Sequence, residues 1–94
     1  MAQEHDIEKY LIKRVAQIGG MQAKFTSPGS AGHPDRLVKL PGHPAALVEL
    51  KRPGRVPDPL QLKRMAEWMA AGMLATWADS YSGVEKFLQR IELQ

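Results

Sequence analysis

Between Pro34 and Lys51, two short apolar runs carry charges where a buried strand ordinarily has none. Pro34-Asp35-Arg36-Leu37-Val38-Lys39-Leu40 leads into a turn at Gly42, followed by Ala46-Leu47-Val48-Glu49-Leu50-Lys51. Runs of this length with β-branched residues, bounded by Pro and Gly, are expected to pair as a hairpin. Strand side chains alternate between faces, so Glu49 and Lys51 share one face while Val48 and Leu50 share the other. Pairing across Gly42 can bring Asp35 beside Glu49, which gathers two carboxylates and one ammonium in one place. Carboxylates that close repel unless a proton or a cation lies between them. Oxygen donors without a thiol suit a hard cation such as Mg²⁺ or Mn²⁺. The plainer alternative makes Asp35 a turn residue and the Glu49/Lys51 pair a solvated strand face.

The pattern extends beyond the hairpin. Gly32-His33-Pro34-Asp35, then Val48-Glu49-Leu50-Lys51-Arg52-Pro53-Gly54, then Pro59-Leu60-Gln61 resemble the signature of the PD-(D/E)xK nucleases. In detail they are similar to its VRR-NUC branch, with a Gly-x-Pro-Asp turn, a Glu-x-Lys strand and a Gln opening the next helix. The resemblance spans nearly the whole chain. It implies a restriction-endonuclease-like fold and metal-dependent hydrolysis of DNA phosphodiesters. On that pattern Asp35, Glu49 and the backbone carbonyl of Leu50 hold Mg²⁺ or Mn²⁺, and Lys51 orients water or steadies developing charge. Gln61 positions water or a phosphate, and Glu8, from the first helix, lies beside the metal with Glu4 as its substitute.

At 94 residues the chain is expected to form one domain, residues 1–94, with a single core. The hydrophobic share of 44% is that of a folded protein, and no run reaches the length of a membrane span. With no cysteine, disulfides and thiolate metal sites are excluded. The opening Met1-Ala2-Gln3-Glu4-His5-Asp6 is polar and unlike a targeting peptide, so a cytoplasmic location is expected. The net charge of +3 matters less than its placement. Lys51, Arg52, Arg55, Lys63 and Arg64 crowd the segment after the hairpin, with Asp58 among them. Such a cluster is either a solvated face or a phosphate-binding rim; beside a carboxylate site the rim explains more.

Ile7, Leu11, Val15 and Ile18 recur at helical spacing, which predicts an amphipathic helix from about Gln3 to Ile18, stopped by Gly19-Gly20. Glu8 flanks that stripe, either reaching the site or simply favouring the helix dipole. Met21–Thr26 alternates Met21, Ala23 and Phe25 against polar residues, as a half-buried strand does. Ser27–His33 is a loop whose amides could approach a phosphate, with His33 a loop side chain near DNA rather than a general base. Asp58 caps a second helix, with Pro59 at its first position; Gln61 then completes a capping box or serves the site. Leu62, Met65, Ala66 and Met69 form its expected inward stripe, and Gly72 ends it. Met73–Ala78 reads as a strand, and Ser82 with Glu85 as the capping box of a last helix with Val84, Phe87, Leu88 and Ile91 inward. The order α-β-β-β-α-β-α calls for an α/β fold, a mixed sheet flanked by helices.

The expected activity is endonucleolytic cleavage of DNA, selective for branched or four-way junctions. The alternative from another class is a DNA-binding or assembly module without catalysis. Retention of Asp35, Glu49, Lys51 and Gln61 together favours the enzyme. A hydrolase of small phosphoesters fits poorly with a basic rim broader than one phosphate. The apolar residues from Met65 to Ile91 exceed what one small core is expected to hold, which points to a homodimer.

Overall fold

The computed structural model describes residues 2–94. Its elements run α1 (Glu4–Ile18), β1 (Met21–Lys24), β2 (Arg36–Lys39), β3 (Ala46–Leu50), α2 (Pro59–Ala70), β4 (Ala75–Ala78) and α3 (Tyr81–Glu92). The four strands lie in sequence order in one sheet. β1 and β2 pair antiparallel, as do β2 and β3, whereas β3 and β4 are parallel. A parallel pair needs a crossover, and α2 supplies it. The fold is therefore α/β with a mixed sheet in the expected order. Among the described residues, no helix is long and apolar enough to cross a membrane.

Alternation along β3 separates two apolar layers. Ala46, Val48 and Leu50 face α1 and α3, where they pack with Ile7, Leu11, Val15, Val84, Phe87, Leu88 and Ile91. Leu47 faces α2 and packs with Met65 and Ala75, flanked by half-buried Phe25, Leu37, Trp68 and Trp77. All of β3 is buried, because helices cover both of its faces. Gly20 is required where α1 turns into β1: a Cβ there would stand 2.7 Å from the Lys39 carbonyl oxygen.

Three local expectations are corrected. β1 is an edge strand that leaves Met21 and Ala23 exposed, since α2 covers the β3–β4 half of that face and stops short of β1. Helix α2 is rotated relative to the expected stripe. Met65 is buried with half-buried Gln61, Arg64 and Trp68 beside it, whereas Leu62, Ala66 and Met69 are exposed. Both stripes have helical spacing, and the large Trp68 ring, seated against Phe25, sets the phase. Finally, α3 is capped by Ser80, whose Oγ accepts from the Gly83 N–H at 2.9 Å, so Ser82 is not the cap. Glu85 instead reaches α1, accepting from the Tyr10 hydroxyl at 2.8 Å and from Arg14 Nε at 2.8 Å. Leu74, Phe87, Leu88 and Ile91 all fit in the core of one chain, whereas Met21, Val56, Leu62, Met69, Tyr81 and Leu93 stay exposed.

Candidate active site

Glu49 lies on the α2 side of β3 and is 7% exposed. Burial, reinforced by the charge of Asp35, pushes its carboxyl up to about 7, although Lys51 works in the other direction. Asp35 stands just before β2, with its carbonyl accepting from the Phe25 N–H at 2.8 Å. Burial raises its carboxyl as well, against the lowering effect of the neighbouring Arg36 guanidinium; Glu4 and Glu8 add to the rise. Each carboxylate is supported by the other strand's backbone. The Leu50 amide favours ionised Asp35, and the Asp35 amide favours ionised Glu49.

Asp35 Oδ1 is buried and has no hydrogen-bond partner. A buried carboxylate oxygen left bare costs about 1–3 kcal/mol or more, and a cation would relieve it. An all-oxygen pair with one such atom fits a hard divalent ion. Among the described residues, however, no group of three acidic or histidine side chains is placed to share one. Glu8 does not join the pair: it is ion-paired to buried Arg36 at 3.0 Å. Glu4, one turn earlier on α1, lines the cleft beside the pair.

Lys51 and Gln61 complete the group. Lys51 Nζ is 3.6 Å from Glu49 Oε2, as strand alternation requires. Gln61 completes the capping box and also reaches Glu49. Its Oε1 accepts from the Asp58 N–H at 2.9 Å while its own N–H donates to Asp58 Oδ1 at 2.8 Å. Its amide nitrogen Nε2 donates to Glu49 Oε2 at 3.1 Å. The cap thus fixes the amide that touches the carboxylate, and Nε2 keeps a second N–H for another acceptor.

Lys51 also belongs to an open cleft of about 560 Å³, lined by Glu4, Arg52, Gly54, Arg55, Val56 and Asp58 as well. Gly54, at φ 84°, donates its N–H to Asp79 Oδ2 at 3.2 Å, which ties the Arg52–Arg55 turn to the segment before α3. Arg52 and Arg55 are exposed on that turn, and Lys63 is exposed on α2. Arg64, expected on the rim, also makes contacts within the chain. Its Nε donates to the Ala31 carbonyl at 3.0 Å and Nη1 to Glu67 at 2.9 Å. His33 likewise turns inward, accepting on Nδ1 from the Trp68 indole at 3.0 Å and meeting Ser30 Oγ through Nε2 at 2.9 Å.

No family model matches the sequence. A curated phage protein, "Putative nuclease p44" of Acyrthosiphon pisum secondary endosymbiont phage 1, is 45% identical over 80 residues, or 85% of this chain and 86% of the relative. A solved structure described as "VRR_NUC domain" superposes with a TM-score of 0.84 at 30% identity, covering 95% of this chain and 97% of that one. The chain belongs to the VRR_NUC family. A second structure, "VRR_NUC domain protein", has a TM-score of 0.75 over 96% of this chain and 88% of its own; at 15% identity it speaks to the fold alone.

Within this VRR_NUC chain the residue that sequence reading overlooked is Arg36. It is buried and held by Gln22 Oε1 at 2.7 Å and by Glu8. The signal was present: Arg36, Val38 and Leu40 alternate onto one face, so a charge there had to find partners inside. The hydrogen bond from Trp68 to His33 joins residues far apart in sequence and left no such mark.

Proposed function

We propose that this VRR_NUC protein hydrolyses DNA phosphodiesters with a divalent metal, and that residues 1–94 act as one nuclease domain. The reading is carried by the convergence of Asp35, with its unpartnered Oδ1, on Glu49, Lys51 and Gln61 at a cleft edged by Arg52 and Arg55. Asp35, Glu49 and the Leu50 carbonyl would hold Mg²⁺ or Mn²⁺, which supplies polarisation of the scissile phosphate and a more acidic bound water. Lys51, already beside Glu49, is placed to orient the nucleophile and to meet negative charge that develops on the phosphate. The second N–H of Gln61 holds a water or phosphate oxygen, its position fixed by the cap. Arg52, Arg55 and Lys63 grip flanking phosphates without reading bases.

The finer reading is endonucleolytic action on branched DNA, with four-way junctions foremost, by a homodimer. It is supported by a small domain that covers little duplex and by apolar surface left uncovered at Met21, Leu62 and Met69. Labelled linear, flap, splayed and four-way DNAs incubated with Mg²⁺ or Mn²⁺ test both levels. Cleavage is expected to disappear in folded Asp35→Ala, Glu49→Ala and Lys51→Ala proteins. Cutting by folded Glu49→Ala at the wild-type rate would overturn the assignment, and equal rates on linear duplex would overturn the preference for junctions.

A further inference from the structure

Resting on the metal-site reading above, we propose that α2 sets the separation of the two carboxylates through a clamp on the loop before Asp35, with Arg64, Trp68 and His33 as positioning residues. One face of α2 grips three consecutive loop residues. A Cβ on Gly32 would fall 2.7 Å from Leu60 Cγ, so the loop backbone lies directly on that side chain. Arg64 Nε holds the Ala31 carbonyl at 3.0 Å. The Trp68 indole donates to His33 Nδ1 at 3.0 Å. Positions 60, 64 and 68 recur every four residues, which is the spacing of a single helix face.

The histidine is held from its other side too. An indole N–H can only donate, so Nδ1 accepts, and the neutral ring carries its proton on Nε2 toward Ser30 Oγ at 2.9 Å. Phe25 stands edge-on to both rings, with centroids 6.3 Å from His33 and 5.7 Å from Trp68. Buried Pro34, with its fixed φ, then passes this placement to Asp35. Asp35 Oδ1 has no partner of its own, so the placement of that oxygen depends on the backbone that carries it. From the same helix Gln61 holds Glu49 at 3.1 Å. One element therefore holds the Glu49 carboxylate directly and the loop that leads into Asp35, against the repulsion that would move the two carboxylates apart, and so presents a preformed site. The clamp also accounts for the engagement of Arg64 and His33 by neighbouring parts of the chain.

The test uses the full chain without DNA and Mn²⁺ as the probe. Trp68→Phe removes the indole donor and keeps a ring; Arg64→Met keeps the stem over Gly32 and removes the donor to Ala31. Each is expected to weaken calorimetric Mn²⁺ binding about tenfold, the low end for partners that orient metal ligands. Amide exchange across residues 30–36 should accelerate while the α1 and α3 amides keep their protection. Because Trp68 and His33 share one bond, Trp68→Phe/His33→Phe should bind Mn²⁺ no more weakly than the weaker single variant. No Mn²⁺ uptake by the wild type would sink the metal reading, and with it any positioning of ligands. Wild-type uptake matched by folded Trp68→Phe and Arg64→Met proteins, with unchanged exchange in the loop, overturns the clamp alone.

Discussion

Glu49 is the residue at which folding and function oppose each other. Its carboxyl ionises near pH 7 in the fold, against an ordinary value of 4.5, because burial and Asp35 both disfavour the charge. The folded state therefore binds the extra proton between those values, and stability falls as pH rises from about 4.5 to about 7. In a chelator, Glu49→Gln should resemble wild type at pH 5 and exceed it by about 1–3 kcal/mol at pH 8 in urea denaturation. A gap of the opposite sign would contradict the burial of the charge. Glu8 gives a second prediction. It compensates buried Arg36 while remaining partly exposed, so Glu8→Ala should cost about 1–3 kcal/mol and leave Mn²⁺ stoichiometry unchanged by calorimetry. Asp35, Glu49 and Lys51 were legible because strand alternation and a hairpin turn fix their relations from short-range sequence. Glu8 was not, since its partner is chosen by how α1 crosses β2.

At the scale of elements, the proposed site draws on α2 and on the Arg52–Arg55 turn. Removing both arginines should flatten the salt dependence of DNA binding by about one unit for each phosphate no longer neutralised, with little sequence dependence. Equal slopes in wild type and Arg52→Ala/Arg55→Ala would remove the rim. The opposite side of the sheet is fastened by Tyr10, Arg14 and Glu85, where the arginine holds the Glu85 carboxyl below its usual range. That support is present at neutral pH and fades as pH falls through the lowered value. Glu85→Gln should cost about 1–2 kcal/mol at pH 7, a figure reduced for the exposure of the pair. Element types and order followed from periodicity, caps and breakers. The phase of α2 followed only in part: Met65 is inward as expected, but its expected companions Leu62, Ala66 and Met69 have helical spacing no worse than that of Gln61 and Trp68. Tertiary contacts separate them, chief among them the Trp68 ring against Phe25.

For the whole molecule, part of the open apolar surface is on the α2 side, with Leu62 and Met69 on the helix and Met21 on the uncovered sheet, while Val56, Tyr81 and Leu93 are exposed elsewhere. If a second copy covers it, light scattering at micromolar concentration should give twice the chain mass, and Leu62→Lys/Met69→Lys should halve it while preserving helix content. A single-chain mass for the wild type would end the dimer reading. The layering also bears on what can be watched. Both tryptophans, Trp68 and Trp77, pack with the α2 layer, and the layer under α1 and α3 contains none. Intrinsic fluorescence therefore reports on one half of the interior, the half that carries Glu49. Circular dichroism draws on all three helices, two of them on the dark side. Heating curves from the two signals will coincide only if both layers melt together, and any divergence shows which layer gives way before the other.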